Sequence, residues 1–187
     1  MALPAVWVVA GAPGAGKSTA ARALCAALDP VPALLDKDTL FDGLAGALLA
    51  AAGRPHDERE GAWYDEHVKV HEYAAMTAAA LEVRSAGCAV VLVAPFTTQI
   101  RRPERWADWV RELGGDPVRL LWVRCDPATL HDRIARRGRP KDLAKLDDFE
   151  AFVARVQPDR PPPVPHLTVD TGTTAVPMRD QLRQLPT

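Results

Sequence analysis

The stretch VVAGAPGAGKSTAARAL, Val8 to Leu24, crowds three glycines, one lysine and two hydroxyls between two apolar runs. Within it GAPGAGKS, Gly11 to Ser18, fits G-x-x-x-x-G-K-[ST], the pattern of a loop whose backbone N–H groups turn inward on a polyphosphate. Side chains would obstruct that approach. Gly11, Gly14 and Gly16 are expected to remove the obstruction and to allow unusual torsions, and Ala12, Pro13 and Ala15 complete the loop with small groups. The context fits as well. Ala5–Ala10 is a continuous apolar run suited to a strand covered on both faces. Lys17–Leu28 carries helix formers on an apolar stripe, and Pro30 stops it. That helix would aim its positive end at the anion. Lys17 is expected to charge-match the β- and γ-phosphates of ATP, Ser18 to offer an oxygen to Mg²⁺, and Thr19 to meet the α-phosphate.

The rest of the chain repeats the strand-then-helix alternation. Further strands are expected at Val31–Leu35, Cys88–Ala94, Val118–Cys125 and within HLTVDT, His166 to Thr171. Helices are expected at 39–52, 59–85, 103–113, from Pro127, at 147–156 and at 176–184. Strands separated by helices five times over imply a parallel sheet wrapped on both faces, an α/β fold. No internal repeat divides the chain, so residues 1–187 read as one domain. Gly138 and Pro140 interrupt the helical pattern in RRGRPKDLAK, which predicts a loop or lid at about 136–146.

Bulk composition narrows the partners. The 187 residues are 48% hydrophobic and 25% charged, with 23 basic against 24 acidic side chains. A balance so close to neutral argues against a general nucleic-acid binder. Three scattered cysteines, Cys25, Cys88 and Cys125, form neither a disulfide framework nor a zinc-site spacing. Met1–Ala10 lacks the basic start of a secretory leader, and no apolar run reaches the length of a membrane helix. A cytoplasmic protein is the expectation.

A phosphate loop does not say where the phosphate goes. The guanine-reading N-K-x-D segment is absent, and strand VVLVAPF ends without the acid that motor ATPases place there. The acid is therefore sought in LLDKDTL. Asp36 and Asp38 fall at the carboxyl end of the second strand, where open α/β sheets keep their ligands. A carboxylate there can take the proton of a hydroxyl attacking the γ-phosphate. Each also suits a turn or helix cap, and Asp38 stands at the expected helix start. The other charged constellation is LHDRIARRGRPKD, Leu130 to Asp142. Arg133 and Arg137 share a helical face, with Arg136 beside them and Arg139 and Lys141 beyond. Arginines brought in by a lid can stabilise charge on the transferring group; a solvated basic face is the plainer alternative.

GAPGAGKST, DKDTL, RCDPATLHDRIARRG and VDT, taken in order, resemble the small P-loop kinases that include chloramphenicol phosphotransferase, the phage polynucleotide 5′-kinase and zeta toxins. The resemblance covers nearly the whole chain. It implies a P-loop NTPase fold with a five-stranded parallel sheet of order 2-3-1-4-5. It implies Asp38 as base and Arg133 and Arg137 at the phosphates; beside these, Asp36 is the second choice of base, and Arg136 and Arg139 are expected to close over the transferring group. Thr171, in DTGTT, would flank the adenine. The activity implied is an ATP- and Mg²⁺-dependent transfer to a hydroxyl of a small molecule. Rivals are a polynucleotide 5′-hydroxyl kinase, a zeta-like toxin acting on a nucleotide sugar, and a nucleotide-gated binding module without acceptor. Phe41 stands where the polynucleotide kinases carry an arginine, and APF stands where the chloramphenicol enzyme has acids.

Weaker signals remain. His67 and His71 are four residues apart beside Glu72, and read as a zinc pair or a polar helix face. Trp63, Tyr64 and Tyr73 are read as core or acceptor contacts, Pro95–Phe96 as a pocket wall or a covered loop, and Trp106 with Trp109 as packing.

Overall fold

The computed structural model describes residues 3–55, 58–59, 61–139 and 142–183. Five strands form one all-parallel sheet: β1 (Val6–Ala10), β2 (Ala33–Asp36), β3 (Val90–Val93), β4 (Val118–Arg124) and β5 (Leu167–Asp170). Their spatial order is β2-β3-β1-β4-β5, the order the resemblance implied. Central β1 pairs with β3 through Val8↔Leu92 and with β4 through Val8↔Leu120.

Ten helices accompany the strands among the described residues. They are α1 (Lys17–Ala27), α2 (Lys37–Ala51), α3 (Ala62–Tyr64), α4 (Val70–Ser85), α5 (Thr97–Ile100), α6 (Pro103–Glu112), α7 (Pro127–Arg137), α8 (Leu143–Asp147), α9 (Phe149–Val156) and α10 (Met178–Leu182). None is long and apolar enough to cross a membrane.

β1 shows why the sheet is wrapped on both sides. All five of its residues are buried, and successive side chains alternate between faces. Trp7 and Val9 join Leu24, Leu130, Ile134 and Phe152 in one core. Val6 and Val8 join Met76, Leu92, Trp109 and Leu113 in the other. Each such aliphatic side chain contributes about 1.5–3 kcal/mol by leaving water.

Several expectations shift. The helix expected at 39–52 starts at Lys37, directly on the end of β2. The helix expected at 59–85 is broken into α3, a π-helical turn (Asp65–Lys69) and α4. The expected loop at 136–146 contains the end of α7 and most of α8; Pro140 and Lys141 lie outside the described residues. Helical structure persists there because a buried carboxylate, Asp142, gathers Arg137 and Lys145 around it. Phe96 does not wall a pocket. It is 0% exposed, at φ 47, between Tyr73 and Trp109 in the core. The last expected helix is described only as α10, and its end at Gln184 lies outside the described residues.

Candidate active site

The phosphate loop leaves β1 at Ala10 and enters α1 at Lys17. Its glycines serve different ends. Gly11 lies so close to β4 that a Cβ there would sit 2.5 Å from the Val123 carbonyl oxygen. Gly14 and Gly16 adopt the left-handed torsions expected of them, at φ 89 and 91, a region that side-chain-bearing residues resist. Gly14 also makes room for neighbouring chain. A Cβ there would meet the Ile134 and Leu130 side chains of α7 at 2.9 and 3.0 Å, so Gly14 lets the loop pack down on that helix. Gly11 likewise clears β4.

Gly16 caps α1; no side chain caps it, and its first turn holds no acid. The helix start thus keeps N–H groups and positive potential for an anion. Lys17 folds back, its Nζ donating to the Ala12 carbonyl at 2.9 Å. Burial pulls its pKa down to about 8; Asp38 and Asp36 partly offset this, while Arg137 and Lys37 add to it. A half-buried ammonium in that state favours a polyanion as partner.

The opening of α2 holds the two acids in different settings. Asp36 is the N-cap: its Oδ1 accepts from the Asp38 N–H at 3.0 Å. Its Oδ2 accepts from Ser18 Oγ at 2.6 Å, tying β2 to the phosphate loop. Because α2 starts two residues earlier than expected, the cap falls to Asp36 and Asp38 lies in the first helical turn. There Asp38 is 46% exposed, with Lys37 Nζ at 4.0 Å and Arg139 Nη1 at 3.7 Å. Ser18 and Asp36 offer the hard oxygen donors that magnesium prefers. No cluster of three or more His, Cys, Asp or Glu side chains suited to a metal forms among the described residues. Magnesium usually completes its shell with waters and phosphate oxygens, so this sparse donor set fits it.

The basic residues divide between two anchors. Arg133 donates to the Thr171 hydroxyl at 3.1 Å and to the Thr171 carbonyl at 2.5 Å. The same hydroxyl stands 2.7 Å from the Ala15 carbonyl and 3.0 Å from that of Arg124. Thr171 therefore fastens the end of β5 to the loop, and Gln181 holds that strand end by paired bonds to Asp170. Arg137 reaches Asp142 at 2.7 Å and lies near enough to Lys17 to depress its pKa. Arg136 is exposed on α7, and Thr19 on α1.

A family model described as an AAA domain matches residues 6–158, which span the loop, both acids and all four arginines. The chain belongs to the AAA-domain family. No curated protein matches this AAA domain in sequence. Among solved structures it is similar to a candidate kinase from Chloroflexus aurantiacus, at 20% identity and TM-score 0.66, over 96% of this chain and 95% of that one. It is also similar to Kti12 of Chaetomium thermophilum in complex with ADP-AlF3, at 20% identity and TM-score 0.59, over 97% and 94%. The APS kinase CysC of Mycobacterium tuberculosis, in complex with AMPPNP and APS, matches at 19% identity and TM-score 0.57, over 97% and 94%. The fold of this AAA domain is that of the small P-loop kinases.

The AAA domain also uses residues that carry no motif. Asp142 is 1% exposed and holds both Arg137 and Lys145; a single acid five residues past an arginine has no pattern that would flag it. Glu72 is buried, accepting from Lys37 Nζ at 2.9 Å and from the Tyr64 hydroxyl at 2.8 Å. In the sequence it stands out only as a neighbour of His71. Tyr64 serves that network, and burial pushes its pKa up. His67 stacks on Trp63 at 4.9 Å, and no third metal-ligating side chain joins His67 and His71 among the described residues. Trp106 and Trp109 pack edge to face, and Trp109 Nε1 donates to Thr77.

Proposed function

We propose that the protein is a kinase that moves the γ-phosphate of ATP to a hydroxyl of a small molecule. The contact that carries this reading is Ser18 Oγ to Asp36 Oδ2, because it joins the start of α2 to the phosphate loop. That join supports a reading in which Asp38, two residues on in the first turn of α2, faces the γ-phosphate.

In this reading the loop amides and Lys17 hold the β- and γ-phosphates, and Thr19 meets the α-phosphate. Magnesium, held by Ser18 with Asp36, would neutralise phosphate charge when bound. Asp38 takes the acceptor's hydroxyl proton as its oxygen forms a bond to the γ-phosphorus. The bond to the β-phosphate oxygen breaks, and ADP leaves with the electron pair. Arg137 and Arg139 approach from the lid side, where charge accumulates on the transferring group. Arg133 and Thr171 brace the loop near the nucleoside. Residues 1–187 act as one domain in this proposal, with 136–146 as its lid.

The test is incubation with labelled ATP and a pool of small hydroxyl compounds, followed by a search for a phosphomonoester by mass. Asp38→Asn should cut transfer by about 10²–10⁴-fold and leave nucleotide affinity nearly unchanged. Unchanged slow hydrolysis in Asp38→Asn, with no phosphorylated product from either protein, would instead favour a nucleotide-gated binding module.

A further inference from the structure

Between α2 and the helical segment facing it lies a cavity of about 350 Å³, within the range small-molecule sites span, about 300–1,000 Å³. Phe41, Leu44 and Leu48 form one wall, and Val68, His71 and Glu72 belong to the other. Asp38, Phe41, Ala45 and Leu48 recur at spacings of three, four and three, so they share one face of α2. Asp38 stands at the end of that face nearest the phosphate loop, which Asp36 touches through Ser18. Phe41, in the cavity wall, follows the proposed base by three residues on that face.

We infer that this cavity is the acceptor subsite and that its occupant is an uncharged, largely apolar alcohol. The inference rests on the kinase reading above and adds the substrate class. Charge is the first reason. Among the described residues that line the cavity there is no lysine or arginine, so an anionic acceptor meets no dedicated cation. The one carboxylate in the wall, Glu72, is already balanced by Lys37 at 2.9 Å, so a cationic acceptor meets no unbalanced anion. A buried charge without a partner is costly, which disfavours both. Surface is the second reason. Leu44 and Leu48 are 56% and 43% exposed although they line the cavity, and an apolar body would cover them. Polarity at one point is the third. Glu72 uses two of the roughly four acceptor positions of a carboxylate. A second hydroxyl or amide N–H on the ligand would find a partner there or on His71. His67 and Val68, which line this cavity, lie in the π-helical turn, a form frequent at functional sites.

The experiment uses the whole protein with ATP and magnesium and two acceptor panels. One contains geraniol, decanol and phenylpropanol; the other contains glucose, adenosine and shikimate. Phosphomonoester formation is read by mass, and binding of geraniol is read separately by NMR line broadening. Geraniol or another member of the first panel should be phosphorylated, with kcat/KM at least about tenfold above any member of the second. Leu48→Asn should raise KM for that alcohol about tenfold or more without changing ATP affinity. Preference for the second panel, with KM indifferent to Leu48→Asn, overturns the substrate class and leaves phosphoryl transfer standing. Geraniol binding that Leu48→Asn weakens, without phosphorylation of anything in either panel, leaves an apolar-alcohol pocket but overturns its role as acceptor subsite together with the kinase reading. Neither binding nor transfer overturns both.

Discussion

Lys17 offers a quantitative check on the loop, because its charge is held at a disadvantage until a polyanion arrives. Its pKa is lowered from 10.5 to about 8, chiefly by burial. In the nucleotide-free protein the ammonium is thus half deprotonated near pH 8, whereas a bound triphosphate should keep it fully charged. Binding must then take up a proton, and apparent affinity must fall as pH rises. For one linked group, the dissociation constant should weaken about 25-fold between pH 7.5 and 9.5, a window above the last phosphate ionisation of the ligand, about pH 6. Calorimetry in buffers of different ionisation enthalpy should show uptake of about half a proton at pH 8. Lys17→Met should bind more weakly with no slope.

The stability sign follows from the same shift. A lysine whose folded pKa lies below its unfolded value costs stability throughout the range below pH 8, and the cost fades between about 8 and 10.5. Without nucleotide, Lys17→Met should therefore be more stable than the parent at pH 7, by up to about 3 kcal/mol. A flat affinity profile together with a destabilised Lys17→Met would refute the desolvated ammonium.

Other perturbations follow from single contacts. Thr171→Val removes the hydroxyl shared by the Ala15 carbonyl and Arg133; it should lower stability by about 1–3 kcal/mol and weaken nucleotide binding, read by urea titration and fluorescence. Arg84 is fully buried and donates to the carbonyls of Pro4, Leu113 and Gly115. Arg84→Met should cost about 3 kcal/mol or more, with ATP affinity unchanged once the variant is folded. Asp142→Asn leaves Arg137 and Lys145 without their shared anion and should cost about 3–5 kcal/mol, visible as a lowered Tm.

The sheet and its loop were legible because their signals are local. Apolar runs such as Val6–Ala10 need burial on both faces, and G-x-x-x-x-G-K-S has one physical use between a strand and a helix. Illegible features depend on distant partners. The motif marks Gly14 as small, but that Ile134 and Leu130 demand it depends on α7, some 120 residues on. The π-helical turn at Asp65–Lys69 leaves no periodic mark distinct from a helix, and the four-residue α5 is too short to produce one. α8 forms within a stretch broken by Gly138 and Pro140, next to a buried ionic cluster whose members lie on both sides of the break. Phe96 reads as a loop residue beside Pro95, yet core packing holds it at positive φ. The two acids stand out in the sequence, but their settings do not. DKD presents two carboxylates, and only the true start of α2 decides which one caps it.

That start makes the two acids separable by experiment. Asparagine caps helices about as well as aspartate, so Asp36→Asn should fold, its one oxygen on the Asp38 N–H and its NH2 donating to Ser18 Oγ in place of the bond it received. What it loses is a full negative charge next to the oxygen proposed for magnesium. Transfer should then need about tenfold more magnesium to reach half its maximal rate, since one pKa-unit-sized loss of interaction is about 1.4 kcal/mol, with the maximal rate largely recovered. Asp38 stands instead beside Arg139 and Lys37. Asp38→Asn should leave the magnesium titration where it is and depress the plateau. Magnesium titrations of both variants decide the matter. A plateau lost in Asp36→Asn and kept in Asp38→Asn would exchange their roles, because the proton acceptor is the group whose loss no excess of metal repairs.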